Sequence, residues 1–375
     1  LRRDLHRHPE LSWQETRTQE RLEQGLRACG VSQLERVAGT GIVARVPGSG
    51  LSAPTVAIRG DIDALPITEN TGLAFASERP GVMHACGHDV HASWAVGAAL
   101  LLARDPAAGE VRIVLQPAEE VGEGASRILS STALDGVQAI FGAHVDRRFS
   151  VGEVVAQEGP LSASTDSFTI TLQGQGAHGA RPQESADPVV GAAALVLALQ
   201  TIVSRRLDPA LPGVVTVGAI HAGRAANVIP ENAEIQGTLR ATTPASRAFL
   251  VSELEHITRG IAGTHRLHAT VHFTGGTPPV VNSRDGAEWA ARAVRDVLGA
   301  HALVPLGTTN MGGEDFAFYL EKMPGCFLRI GAREPGGERT AAHSPTFQPS
   351  EDALFVGARV LAQCARVACA ALAGR

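Results

Sequence analysis

Residues Met83 to His91 read Met-His-Ala-Cys-Gly-His-Asp-Val-His, and no other stretch constrains the chain as much. It sets His84, Cys86, His88, Asp89 and His91 between a loop carrying Pro80 and Gly81 and an apolar run, Ala92 to Leu102, that reads as a helix. Thiolate, imidazole and carboxylate are the donors that hold zinc-like metals. Cys86 and His88 stand two residues apart, so an irregular or extended backbone turns both to one side. The competing reading is a polar helix start, with Asp89 as its cap and the histidines solvated. The rest of the chain favours the metal.

At 375 residues the chain exceeds the size at which one hydrophobic core stops growing, so two domains are expected. A hydrophobic content of 44% is ample for buried cores. The net charge of -5 and the absence of basic runs argue against nucleic-acid or membrane-surface partners. The longest apolar stretch, Val189 to Val203, reads as too short to span a bilayer and carries Gln200 and Thr201. Leu1 to His8 is basic and amphipathic and lacks the apolar core of a signal peptide. The cysteines, Cys29, Cys86, Cys326, Cys364 and Cys369, are odd in number and scattered, which is no disulfide framework and points to a reducing cytoplasm. Lys322 is the only lysine and sits in no motif, which sets aside Schiff-base and P-loop chemistry.

Leu1 to Ala28 reads as an amphipathic helical region broken by Pro9, with Ser12 placed to cap the following helix and Glu15 three residues on. Val43 to Val46, Thr55 to Arg59, Val111 to Leu115 and Ala139 to Ala143 are short apolar runs between turn signals, hence strands. Polar groups follow them: Asp61 and Asp63, then Glu119 and Glu120, then His144. Ligands bind at the carboxyl edge of open α/β sheets, and helices alternating with such strands imply a mostly parallel sheet. The pattern changes after Ser162. Strands at Phe168 to Leu172, Val214 to Ile220, Glu234 to Ala241 and His268 to Phe273 enclose two helices, Asp187 to Arg205 and one opening at Thr243-Pro244. This βαββαβ order is ferredoxin-like. The α/β pattern then resumes with a helix from Asp285 to Leu298, a helical turn near Phe316 to Leu320, a strand at Phe327 to Ile330 and a last helix from Asp352 to Leu372. The expectation is a two-domain α/β chain. Residues 1–164 plus 275–375 form a mostly parallel-sheet domain, and residues 165–274 an inserted α+β domain.

Cys86, His88, Glu120, His144 and His343 supply five ligands from four separate loops, more than a tetrahedral site uses. They suit two metal ions that share a water, each keeping an open position. Glu119 adjoins Glu120, and neighbouring side chains point apart, so one carboxylate can bind metal while the other serves as the general base of metal-assisted hydrolysis. A solvated acidic turn is the plainer reading of Glu119 and Glu120; their place just after Gln116-Pro117 and a strand argues against it. Gly174-Gln175-Gly176-Ala177-His178-Gly179 has the glycine spacing of a dinucleotide turn. Pro182 follows within a turn, and a helix stands where the next strand should lie, so that reading is set aside. The glycines instead let backbone approach closely and expose His178 at the tip of a strand.

At this point the chain resembles the metal-dependent amidohydrolases that include bacterial hippurate hydrolases, aminoacylases and plant auxin–amino-acid conjugate hydrolases. The resemblance spans nearly the whole chain. It rests on Leu5-His6-Arg7-His8-Pro9-Glu10-Leu11-Ser12, Arg59-Gly60-Asp61-Ile62-Asp63-Ala64-Leu65-Pro66, Met83 to His91, Gln116 to Glu120 and Ala143-His144-Val145. It continues through Asn227-Val228-Ile229-Pro230, Gly237-Thr238-Leu239-Arg240, Gly312-Gly313-Glu314-Asp315-Phe316 and His343-Ser344-Pro345. The resemblance implies a catalytic domain built from both ends of the chain and an inserted lid that dimerises, giving a homodimer or a tetramer. It implies two divalent metal ions, zinc or manganese, on Cys86, His88, Glu120, His144 and His343, with Glu119 as general base. It further implies His178 as an oxyanion donor, Asn227 and Arg240 near a substrate carboxylate, and Asp63 as an acid that orients a ligand. Two departures stand out. Many relatives have His-Ala-Ala where this chain has His178-Gly179-Ala180, and the wider group bridges its metals with an aspartate where this chain carries Cys86 and His88.

The implied activity is cleavage of the amide of an N-acyl amino acid, or a related conjugate, into a carboxylic acid and a free amino acid. The rivals are an aminopeptidase or carboxypeptidase acting on short peptides, and a non-catalytic metal-binding homologue. Glu119 disfavours the last, because storage needs ligands and no base.

Overall fold

The computed structural model describes residues 1–50 and 54–374. The chain divides into two compact units, one made of Leu1–Gly159, Val281–Thr308 and Asp315–Arg375, the other of Pro160–Val280 and Thr309–Glu314.

The first unit is built on a seven-stranded sheet. Four parallel strands form its middle: Val111–Gln116, Thr55–Asp61, Val137–Ser150 and Gly325–Arg333. Gly41–Val46 and Gln33–Val37 extend one side antiparallel, and Val154–Val155 extends the other. The central strands are covered on both faces, so they are apolar almost throughout; all six residues of Val111–Gln116 are buried. Helices His88–Arg104, Arg284–Leu298 and Ala353–Ala373 pack beside one another on this unit. The buried Trp94 indole donates to the Ala353 carbonyl at 2.9 Å and ties two of them together. Gly60 lets the metal-motif helix approach its strand, since a Cβ there would lie 2.6 Å from the His91 carbonyl oxygen.

Parallel register aligns the functional edge. Gln116 stands opposite Asp61, and His144 opposite Arg329. Asp61 and His144 each lie two residues beyond the Arg59–Gly142 pair. Three sequence expectations are corrected here. His144 does not end its strand; pairing with Gly325–Arg333 carries that strand on to Ser150. The helix opens at His88 rather than Ala92. Ser12 is not a helix cap: helix Thr16–Ala28 has Glu15 at its cap position with no side-chain capping bond to the helix, and the Ser12 hydroxyl donates to Asp63 Oδ2 at 2.7 Å. The cap position lies three residues beyond Ser12, and the hydroxyl is held instead by a charge-assisted hydrogen bond to a buried carboxylate.

The second unit holds a four-stranded antiparallel sheet in the order Gly213–Ala222, Asn232–Ala241, Asp166–Gln173, His268–Thr274. This is the ferredoxin-like arrangement. Alternate residues of Asp166–Gln173 face the core, where Phe168, Ile170 and Leu172 meet Leu195 and Leu199 of helix Pro188–Leu199 and Leu250 and Leu254 of helix Pro244–Thr264. Thr243 caps the latter helix in a reciprocal pair with Ser246. Helix Pro188–Leu199 continues through a π turn to Arg206, so this stretch reaches the length and apolarity of a membrane span, against the sequence reading. Leu195, Leu199 and Ile202 are nonetheless buried in this unit's own core.

Candidate metal centre

The first unit gathers Cys86, His88, Glu119, Glu120, His144 and His343. Gly87 makes the turn that permits it: at φ +92° it lets the chain reverse between Cys86 and the helix that opens at His88. Ala118, at φ +54°, holds the turn that presents Glu119 and Glu120. Its N–H donates to Glu15 Oε1 at 3.0 Å, and Gly122 N–H closes the turn onto the Glu119 carbonyl at 2.7 Å. His343 itself adopts φ +67°, pinned by its N–H to the Ala85 carbonyl at 2.8 Å. Left-handed backbone at non-glycine residues persists only where surrounding contacts enforce it, and it gathers at functional sites.

The ligand atoms form overlapping sets. Cys86, His88 and His144 lie mutually within 4.8 Å, as do Cys86, Glu120 and His343, and also His88, Glu119 and Glu120. Cys86 belongs to the first two sets, and its Sγ is 3.2 Å from His144 Nε2. His88 donates its Nδ1–H to the Asp63 carbonyl at 2.9 Å, with Asp63 Oδ1 at 3.2 Å, which leaves the Nε2 lone pair facing Glu119 Oε2 and Glu120 Oε1, each 3.8 Å away. Asp63 also receives the Glu120 N–H at 3.0 Å, so one carboxylate steadies both a histidine and a glutamate. His144 gives its Nδ1–H to the Val145 carbonyl at 2.7 Å, again leaving Nε2 as the ligand atom.

These residues fit divalent metal. His88 Nε2 and Glu120 Oε1 are buried without a hydrogen-bond partner, an arrangement that a buried polar atom tolerates only when something else satisfies it. The electrostatics demand positive charge. Burial works against a charged His88, yet Asp61 and the Asp63 hydrogen bond outweigh it and hold its pKa well above the usual value. Burial, reinforced by Asp63 and Asp61 against the attraction of His88, pushes Glu120 up to about 7. Burial, and next the neighbouring Glu120, holds the Cys86 thiol well above its usual range. A divalent ion would relieve this crowd of anions and take the thiol as thiolate.

The sequence reading missed a buried layer beneath the ligands. Arg59 donates to Asp61, to Gln116 Oε1 at 2.8 Å and to Asp315 Oδ1 at 2.8 Å. His91 Nδ1 meets Asp61 Oδ1 at 2.7 Å. The Arg59-Gly60-Asp61 triplet was the available signal, because a charged pair inside an apolar strand must find partners there. His84 joins no ligand cluster among the described residues; burial lowers its pKa to about 4, so it is neutral.

Asp89 is neither ligand nor cap. It accepts from Arg2 Nε at 2.7 Å and from His6 Nδ1 at 2.9 Å, and His6 Nε2 meets Glu69 Oε1 at 3.1 Å. Burial opposes charge on His6, but the Asp89 carboxylate and its hydrogen bond, with Glu69, raise its pKa to about 9. A pKa raised on folding contributes stability that is complete below the unfolded value near 6.5 and is lost as pH rises through 9. Unfolding free energy is therefore expected to fall by on the order of 3 kcal/mol between pH 6 and pH 9.5. Denaturant melts across that window check this, and the fall should be absent in His6→Gln.

In the second unit, His178 lies on the short strand Ala177–His178, paired with Val228–Ile229, and Gly179 N–H donates to the Asn227 carbonyl at 2.8 Å. Ala180 N–H donates to His178 Nδ1 at 3.0 Å, which places the imidazole proton on the exposed Nε2. No α-helix opens at this glycine turn; a single 3-10 turn, Pro182–Glu184, follows it and the next α-helix starts at Pro188, so the phosphate-binding geometry is absent here. Arg240 is half-buried on strand Asn232–Ala241, opposite Val214.

Comparison with known proteins agrees with this architecture. An N-acetylcysteine deacetylase of Bacillus subtilis is 39% identical over 97% of this chain and 95% of its own length. An IAA-amino acid hydrolase of Arabidopsis thaliana, ILR1-like 2, is 38% identical over 97% of this chain and 83% of its own length. A crystal structure from Bacillus subtilis, described as a dinuclear metal binding peptidase from the M20 family, superposes with a TM-score of 0.87 at 36% identity, covering 98% of this chain and 96% of that one. The model for peptidase family M20/M25/M40 matches residues 57–367, and the chain belongs to that family.

Proposed function

We propose that this protein is a two-metal amidohydrolase that cleaves N-acyl amino acids, or related conjugates, into a carboxylic acid and a free amino acid. One observation carries the reading: two ligand sets share Cys86, with Glu119 beside them. Cys86, His88 and His144 would hold one ion and Cys86, Glu120 and His343 the other. Thiolate and imidazole donors suit zinc, and the family resemblance adds manganese. The bound ions supply Lewis-acid polarisation of the amide carbonyl and acidify water. Glu119 accepts the proton of the attacking water and passes it to the leaving nitrogen. His178 offers its Nε2–H to the oxyanion. Asn227 and Arg240 receive the substrate carboxylate, and Asp63 fixes the His88 tautomer.

In this reading residues 1–164 plus 275–375 carry the metals, and residues 165–274 act as lid and dimerisation domain of a homodimer or tetramer. The free state of all the cysteines accords with a cytoplasmic enzyme. The substrate class is carried over from the deacetylase and IAA-conjugate hydrolase relatives.

The test is metal stripping followed by reconstitution with Mn²⁺ or Zn²⁺, assayed on N-acetyl, N-benzoyl and indole-acetyl amino acids beside dipeptides. Activity should vanish with the metal and return with it, and the acyl amino acids should turn over faster than the peptides. Full activity in metal-free protein overturns the metal reading, and preference for dipeptides overturns the substrate reading. In the same assay, His178→Ala should lower kcat by roughly 10²- to 10³-fold with metal content intact. Unchanged kcat would remove His178 from the chemistry.

A further inference from the structure

His91 resembles a sixth ligand in sequence, and its ring lies within ligand distance of His88 and Asp61. Both its nitrogens are already engaged. Nδ1–H donates to Asp61 Oδ1 at 2.7 Å, and that forces Nε2 to be the acceptor, which takes the Val145 N–H at 2.9 Å. Val145 is the residue whose carbonyl fixes the His144 tautomer. One residue's N–H and C=O are thus clamped from two sides, by His91 and by the metal-facing His144. The His91 ring is stacked on Trp94 at 5.2 Å and meets His144 edge-on at 4.6 Å, so it has no room to turn. Behind it, Asp61 is held by the buried Arg59. A continuous chain runs Arg59, Asp61, His91, the Val145 peptide, His144.

We infer that His91 is a positioning residue for the metal centre, which sets the orientation of His144 through the Val145 N–H and so tunes affinity for the ion that His144 binds. The inference rests on the two-metal reading above. A hydrogen-bonded partner behind a ligating histidine is worth about 10- to 100-fold in metal affinity. Here the link passes through a peptide group, so the acceptor at Nε2 matters more than the donor at Nδ1.

Two polar variants separate the two bonds. His91→Gln places an oxygen near the old Nε2 position and keeps an acceptor for Val145 N–H. His91→Asn keeps a donor near Nδ1 toward Asp61 and is too short to reach Val145. Each is titrated with Zn²⁺ alone by calorimetry, with thermal melts to register any general loss of stability. The wild type should bind two ions. His91→Asn should weaken one of them about 10- to 100-fold and leave the other unchanged, while His91→Gln should stay within a few-fold of wild type. Equal affinities in all three proteins, or equal weakening of both ions in both variants, overturn the positioning role. Should one variant fold poorly, the other still decides, because wild-type affinity in His91→Asn or a 10-fold loss in His91→Gln is each sufficient to reject it. Absence of zinc binding by the wild type would instead refute the metal reading itself.

Discussion

Glu119→Gln should lower turnover by about 10²- to 10⁴-fold while leaving metal content near normal. The substitution keeps the shape of the side chain and removes its ability to take a proton. Metal retention follows from the geometry: the Cys86 and His343 set is completed by Glu120, and Glu120 N–H is anchored on Asp63. The expected counterpart is Glu120→Gln, which should lose metal, because a neutral amide is a poor substitute for a carboxylate ligand. Single-turnover kinetics with metal analysis on both variants separate the roles. Loss of metal in Glu119→Gln would mean that the two glutamates are exchanged, with Glu119 as ligand and Glu120 as base.

Arg59→Leu should cost about 3–5 kcal/mol of stability, a large part of what a typical domain has. Arg59 is 1% exposed and faces two carboxylates, Asp61 and Asp315, that are fully buried. Removing the guanidinium leaves both without their cation in a medium that solvates charge poorly. Asp61 shows how much the pair matters: burial alone would raise its pKa, yet Arg59, and then His88 and His91, hold it well below the usual carboxylate range. A depressed folded pKa contributes stability present above the unfolded value near 3.9 and lost on acidification. That wild-type contribution is intact at pH 4, whereas in Arg59→Leu the buried carboxylates have lost their main cation, titrate upward and take up protons on the way down from neutral pH, so the gap should be widest near pH 7 and narrow toward pH 4. Asp315→Asn added to Arg59→Leu should recover part of the loss, since it removes one uncompensated charge. Urea denaturation at pH 7 and pH 4 reads both effects, and a loss under 1 kcal/mol would show that water or rearrangement compensates the site.

Much of the site was legible because its chemistry is local and unusual. Cys86 and His88, and the adjacent Glu119 and Glu120, are donor types that rarely cluster without purpose, and the glutamates follow a short apolar run whose strand character is plain. The second unit's βαββαβ order was legible for a similar reason: alternating burial in strands such as Asp166–Gln173 leaves a period-two trace in the chain. His343 was the least legible of the five ligands, since nothing in its own loop distinguishes it and it gains meaning only beside the other four.

What the sequence by itself determined is therefore the ligand inventory and the periodicities that make strands and helices. The tertiary structure decided which polar groups meet. Ser12 is an equally good cap or hydroxyl donor in sequence, and only the approach of Asp63 made it the latter. Asp89 and His91 share a helix turn with His88 and have the same ligand chemistry. Arg2 and His6, more than 80 residues away, claim the first, while Asp61 and the Val145 N–H claim the second. Where the strand through His144 ends likewise depends on the partner it pairs with, here Gly325–Arg333, which carries it on to Ser150. The physical reason is common to these cases. A buried polar atom must be satisfied, several partners within the chain have suitable chemistry, and only packing brings one of them within hydrogen-bond reach.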